Sequence, residues 1–283
     1  MSPLDRTQFA QYTTSLAQAL PYVRDFIIGN EPNLNRFWMP QFTTRGGDSA
    51  APAYEMLLAR TYDALKAVSP KINVIGGTVS SHGGDDPKAR RPTHSPTRFL
   101  LDLGHFYRWT GRTRPIMDAF VLHPYLDSSG QDPGFRHPRS TSIGIGDYGK
   151  LVRLLGVAFD GTAQRGSKLP ILYGEFGVQT KISLGKMHAY SNTKALTHKT
   201  AVSESLQAQS YRQALKLASC QGNTMGLLFF HVSDEDNFAA WQSGVFYADD
   251  TPKSSLSAIR ASAQAAIAGT LTRCGGSATG PPR

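Results

Sequence analysis

Residues 25–33 read Asp25-Phe26-Ile27-Ile28-Gly29-Asn30-Glu31-Pro32-Asn33, and residues 170–177 read Pro170-Ile171-Leu172-Tyr173-Gly174-Glu175-Phe176-Gly177. Each is a short apolar run that gives way to a glycine and then, within two residues, to a glutamate. The runs lack the in-and-out alternation of a strand with one wet face, so they read as strands buried on both sides, as in a parallel sheet covered by helices. In such sheets ligands bind at the carboxyl ends of the strands, which is where the sequence puts Glu31 and Glu175. A lone glutamate after a strand is as easily a capping or solvated side chain. Two in the same position, each beside Gly or Asn where the backbone must turn tightly, argue for a site.

Outward from these stretches the same texture repeats. Strands are predicted at 26–29, 72–76, 119–122, 171–173 and 225–230, all of them buried on both faces. Amphipathic helices are predicted at 7–20, 53–68, 97–110, 148–164, 201–219 and 253–268. Ser69-Pro70 closes one helix, Ser95-Pro96 opens the next and Thr251-Pro252 opens the last. Alternation of this kind predicts an α/β fold built of βα units, with no domain boundary inside it. The strand between the two glutamates ends Phe120-Val121-Leu122-His123-Pro124-Tyr125, again with polar side chains where the strand opens to its mouth. Long connections at 36–52, 82–94, 127–147 and 179–198 would wall a groove on that face.

The chain has 283 residues, a net charge of +9 and a mean hydropathy of -0.30. It contains no apolar run near the roughly 18 residues of a membrane span. The densest bases are Lys88, Arg90 and Arg91, then Arg136 and Arg139. The rest are spread singly, without interleaved aromatics, so no nucleic-acid partner is expected, and the choice lies between an anionic polymer and a solvated basic surface. There is no CxxC, HExxH or other metal-ligand spacing, hence no expected metal. Gly144-Ile-Gly146-Asp-Tyr-Gly149 fits GxGxxG but follows a polar stretch rather than a strand, so no dinucleotide or other cofactor is expected.

Taken together, Asn30-Glu31-Pro32, His123-Pro124-Tyr125 and Gly174-Glu175-Phe176-Gly177 resemble, in order and spacing, strands four, six and seven of the clan A retaining glycoside hydrolases. The resemblance runs from about residue 7 to residue 268 and is nearest to the cellulase-like and β-xylosidase-like members. It implies a TIM (β/α)8 barrel that hydrolyses O-glycosidic bonds, of β configuration, in an oligo- or polysaccharide. Glu31 would then be the acid/base and Glu175 the nucleophile. The same resemblance suggests Tyr125 as a donor to the nucleophile, His123 as ordering that cluster, and Asn30 as a donor to a sugar hydroxyl. Trp38 and Trp241 are sugar platforms or ordinary packing. The last strand departs from the family pattern, reading Leu228-Phe229-Phe230-His231 where a Trp is usual, so His231 or Trp241 would take that place. Asp234, Glu235, Asp236 and Asn237 are placed to contact sugar hydroxyls or to solvate their loop, the second being the favoured reading.

On this numbering strands four to eight are visible and strands one to three are absent, so the chain is expected to be an N-terminally truncated catalytic barrel over residues 1–268 with a flexible tail at 269–283. No signal-peptide pattern opens the chain; the habit of such enzymes implies a secreted or extracellular protein if an upstream segment carries one. Cys220 and Cys274 would both fall at the bottom of a barrel, where a bridge closing a loop of about 54 residues would contribute roughly 4 kcal/mol, free thiols being the alternative. Oligomeric state is unspecified. Two other readings stand beside the hydrolase: a non-catalytic carbohydrate-binding barrel, and a basic protein that binds anionic polymers.

Overall fold

A computed structural model describes residues 3–194 and 200–271. Most of the expected tail, with Cys274, and His198 at the end of one expected loop lie outside the described residues. Helix α1 (Pro3–Ala19) leads into β1 (Asp25–Ile27). There follow α2 (Ala50–Val68), β2 (Asn73–Ser80), α3 (Pro96–Trp109), β3 (Ala119–His123), α4 (Tyr148–Phe159), β4 (Ile171–Phe176), α5 (Glu204–Ser219), β5 (Thr224–Phe229) and α6 (Leu256–Ile267). The strands hydrogen-bond in chain order, β1-β2-β3-β4-β5, and β1 with β2 and β2 with β3 run parallel. The expected α/β sheet is present, consistent with part of a (β/α)8 barrel. No helix among the described residues is long and apolar enough to cross a membrane.

The chain forms two compact units. One comprises Met1–His123, His137–Ile143 and Tyr148–Leu172; the other comprises Pro124–Arg136, Gly144–Asp147 and Tyr173–Arg283. In the first, β2 is buried from Val74 onward and β3 along its whole length, with Ile75, Ala119 and Val121 packed together against Leu172. Helices cover them through side chains spaced three and four apart, such as Phe99, Leu103 and Tyr107 on α3 and Leu151, Leu155 and Ala158 on α4. In the second unit the buried rings of Phe176 and Tyr211 lie 5.6 Å apart, and Phe229 lies 4.5 Å from Tyr211. Helix α5 starts where Ser203 accepts a hydrogen bond from the Leu206 N–H at 3.2 Å. Cys220, just beyond α5, is disulfide-bonded.

Four expectations are corrected. First, the edge strands are not buried on both faces: Ile27 on β1 is 44% exposed, and Met225 and Leu228 on β5 are 48% and 49% exposed. Each of these strands has a neighbour on one side only, so less chain covers it. Second, β1 stops at Ile27 and β2 runs on to Ser80. The positive φ of Gly29 (87°) bends the chain out of the extended region, while Gly77 (90°) and Thr78 (49°) make a bulge that shifts the register against β3. A Cβ on Gly77 would sit 2.4 Å from the Phe120 ring, so only glycine fits there. Third, α4 ends at Phe159, two residues before Gly161 takes a left-handed φ of 79°, and Gln164 lies beyond the helix. Its buried amide accepts from the N–H groups of Ile116 and Met117 at 2.9 and 3.1 Å and donates to Met117 O at 3.1 Å. Fourth, α6 begins at Leu256 rather than at residue 253, because Lys253 is drawn into a buried ion pair.

Candidate functional site

Glu31 belongs to the first unit. Past β1 the backbone remains tethered to β2, Ile28 N donating to Ile75 O and Glu31 N to Thr78 O, both at 2.9 Å. Glu31 itself has a φ of 39°, a region that non-glycine residues seldom occupy. The turn carries the carboxyl group inward, so that Glu31 is only 8% exposed, and His123 at the end of β3 presents Nδ1 to Glu31 Oε1 at 3.1 Å. Groups this buried persist only when hydrogen-bonded. The contact shares one proton in either of two ways: Nδ1–H donating to a carboxylate, or a protonated carboxyl donating to neutral Nδ1.

The support beneath Glu31 is polar and fully enclosed. Tyr54 donates to Ile28 O at 2.8 Å, with its own hydroxyl proton held well up in pKa by desolvation. The buried Asn33 amide donates to His94 O at 3.1 Å and to His82 O at 3.3 Å, and accepts from Ser80 N at 3.0 Å. Asn30 is exposed. Trp38 is half-buried, stands edge-on to Tyr54 with ring centres 5.9 Å apart, and accepts from Gln41 Nε2 through its carbonyl at 2.8 Å. Its ring therefore shares in packing under the strand end.

Glu175 belongs to the second unit and sits within β4, half-buried. Tyr125 donates its hydroxyl to Glu175 Oε2 at 2.8 Å. The Tyr125 ring lies 5.2 Å from Trp241, tilted at 36°, and meets Phe230 edge-on at 6.0 Å; Trp241 and Phe230 are themselves edge-on at 5.8 Å. Trp241, from the loop after β5, is thus brought against the tyrosine that holds Glu175. Phe230 precedes His231 through a cis peptide bond. His231 is half-buried with Nε2 3.8 Å from Glu235 Oε1. A Cβ on Gly177 would fall 2.4 Å from Phe230 O, so the backbone after Glu175 can approach β5 this closely only as glycine.

The loop that carries Trp241 is not the solvated segment its sequence suggests. Asp234 and Lys253 have fully buried side chains and form an ion pair at 2.8 Å. Asp234 also accepts from Tyr190 Oη at 2.6 Å and Gly244 N at 2.8 Å, while Lys253 also donates to Thr180 Oγ1 at 2.7 Å and Gln242 O at 3.2 Å. Desolvation pushes the Asp234 carboxyl above its ordinary pKa and the Lys253 ammonium below its own, each against the other's attraction. Gln242 O takes a further bond from Thr180 N at 3.0 Å, so the backbone beside Trp241 is fixed from two directions. Glu235, Asp236 and Asn237 are exposed, as expected. No local pattern marks Asp234 and Lys253 as partners; the one hint is a lysine where a helix was expected to begin.

No protein-family model and no curated protein matches the sequence. Solved structures do match. A family 39 glycoside hydrolase from the gut symbiont Bacteroides cellulosilyticus WH2 aligns with a TM-score of 0.60 and 17% identity over 95% of this chain and 45% of that one. A family 39 β-xylosidase from Caulobacter crescentus gives 0.52 and 17% over 90% and 46%. A family 2 β-galacturonidase from Eisenbergiella tayi, bound to galacturonate, gives 0.52 and 14% over 93% and 37%. The chain shares its fold with glycoside hydrolases. At these identities the likeness is one of fold, and the chain spans less than half the length of each of the three.

Proposed function

We propose that the protein is a retaining glycoside hydrolase acting on β-linked oligo- or polysaccharides, with Glu175 as nucleophile and Glu31 as acid/base. One observation carries the reading: His123 and Tyr125, two residues apart at the end of β3, each bond a different strand-end glutamate, at 3.1 and 2.8 Å. Two carboxyl groups with unlike partners are what double displacement requires. In the first step a Glu175 oxygen bonds to the anomeric carbon as the glycosidic C–O bond breaks, and Glu31 gives its proton to the departing oxygen. In the second, Glu31 takes a proton from water, the water oxygen bonds to the anomeric carbon, and the ester to Glu175 breaks. Glu31 ends protonated, Glu175 ionised, and one water has been consumed.

The remaining assignments follow from that reading. Asn30 donates to a sugar hydroxyl, Trp241 and His231 wall the subsite that the family usually closes with a strand-end Trp, and Trp38 borders the leaving-group side. The disulfide at Cys220 supports an oxidising, extracellular place of action. Turnover of a panel of aryl β-glycosides and β-glucans tests the proposal. The natural chain should hydrolyse at least one, and Glu31→Gln and Glu175→Gln should each retain less than about one part in 10³ of its kcat on the unactivated β-glucan. Substantial turnover by either variant on that substrate would sink the assignment.

A further inference from the structure

Six exposed bases gather on one set of segments. In the first unit, the segments leaving the carboxyl ends of β1 and β2, with the strip 137–143, carry Arg36, Arg45, Lys88, Arg90, Arg91 and Arg139, all exposed. Among the described residues none of the six forms an ion pair. At the opposite ends of these strands three bases are neutralised, Arg112 and Arg114 sharing Asp63 at 2.6 and 2.8 Å and Lys66 meeting Asp118 at 2.8 Å, while Arg24 and Lys71 are exposed there.

The acids on the same segments are fewer than the six bases and are held away from them by other partners, Asp48 lying 3.2 Å from His94 Nε2 as well as bonding backbone. Asp48 accepts from Ala50 N and Ala51 N at 2.7 and 3.0 Å, Asp85 from Ser95 N at 2.8 Å, and Asp86 from Lys88 N at 2.8 Å. The segments are also tied to the Glu31 turn. Asn33 bonds the carbonyls of His82 and His94, His94 N donates to Asn33 O at 2.9 Å, and the buried His94 Nε2 lies 2.9 Å from Gln41 O. A basic rim therefore stands on the same enclosed amide network that supports Glu31.

Resting on the glycosidase reading above, we propose that the substrate is an anionic polysaccharide, whose carboxylate or sulfate groups on the leaving-group side run along this rim. Exposed guanidinium groups bind planar anionic oxygens through paired hydrogen bonds, and several weak contacts along a polymer add where one would not suffice. Such binding must weaken with salt, since the Debye length shrinks from about 10 Å at 0.1 M to about 3 Å at 1 M.

Three β-glucans with one backbone separate the possibilities: hydroxyethylcellulose, carboxymethylcellulose and cellulose sulfate, titrated calorimetrically at low and high salt. The natural chain should bind at least one anionic polymer about tenfold or more tightly than the neutral one, and preference between the two names the anionic group. Arg90→Glu/Arg91→Glu should lose most of that preference, while Arg60→Glu/Arg153→Glu, a charge-matched change on α2 and α4, should keep it. Equal binding of all three polymers, or equal loss in both double variants, overturns the inference. Hydrolysis of neutral glycosides with no anionic preference leaves the glycosidase reading standing and this one fallen. Anionic preference lost only in the first double variant, with no glycoside hydrolysed, supports the rim as an anionic-polymer contact and overturns the glycosidase reading.

Discussion

Glu31 and Glu175 occupy the same kind of place, the carboxyl end of a strand, in unlike surroundings. Glu31 is buried in a left-handed turn against an imidazole; Glu175 is half-buried in regular strand under a phenol. At neutral pH a phenol hydroxyl is a donor toward a carboxylate, so it favours the anion. An imidazole donates or accepts, so it tolerates both protonation states of its partner. A nucleophile must stay anionic, and an acid/base must alternate. On the proposed assignment, partner chemistry, more than burial, separates the two roles.

The comparison breaks most visibly at the carboxylates themselves. Glu175→Ala should lose on the order of 10⁴-fold or more in kcat on every substrate, since no leaving group spares the need for a nucleophile. Glu31→Ala should lose far less, about 10²-fold, on dinitrophenyl glycosides, whose leaving group departs without a proton. Azide should restore turnover in both variants, giving the β-glycosyl azide with Glu31→Ala and the α-glycosyl azide with Glu175→Ala. Products of the opposite anomeric form would exchange the roles.

The surroundings of Glu175 depend on the loop carrying Trp241, so the next largest effect belongs to its buried ion pair. Lys253→Met leaves the buried Asp234 without its counter-ion and should destabilise the fold by about 3–5 kcal/mol. Lys253→Met/Asp234→Leu should recover much of that in denaturant unfolding. If the single variant unfolds like the natural chain, the pair is not what holds Trp241 in place.

Glu55 shows what burial alone does to a carboxyl group. It lies on α2, 2% exposed, with Oε1 unbonded, and desolvation lifts its pKa from 4.5 to about 7 against the opposing pull of Arg112. Because the folded pKa lies above the unfolded one, the proton favours the fold. That stabilisation is complete below pH 4.5 and is lost as pH rises through 7, amounting to at most about 3 kcal/mol. Glu55→Gln carries no charge to desolvate, so its thermal midpoint should fall less than that of the natural chain between pH 5 and pH 8. Parallel pH profiles would show that Glu55 is not the group responsible.

The strand-end glutamates were readable because their signal is local: an apolar run stops at glycine and a carboxylate follows. So was the tyrosine donor to Glu175, through resemblance. The bond from His123 Nδ1 to Glu31 was not, because the turn from Gly29 to Glu31 and the bulge at Gly77 set the meeting point of β1, β2 and β3. Neither bend has a hydrophobic period to betray it. Asp234 and Lys253 each look like loop residues; only the tertiary fold removes water from both. Gln164, expected on α4, instead bonds the backbone at residues 116 and 117, a tertiary role invisible in the local sequence.

The finest test sets His123 against Tyr125, two residues apart. Tyr125→Phe removes a hydrogen bond to a charged group, worth about 1.5–3 kcal/mol, so kcat should fall about 10- to 100-fold. The loss should be similar for good and poor leaving groups, because the nucleophile is needed whichever group departs. His123→Phe removes the partner of Glu31, the carboxyl proposed to transfer the proton. Its loss should be largest on poor leaving groups and small on dinitrophenyl glycosides, whose departure needs no proton. A plot of log kcat against leaving-group pKa should therefore keep its slope in Tyr125→Phe and steepen in His123→Phe. Equal slopes in the two variants would mean that the imidazole and the phenol serve the same carboxylate chemistry, and the division of labour between Glu31 and Glu175 would have to be drawn from some other feature.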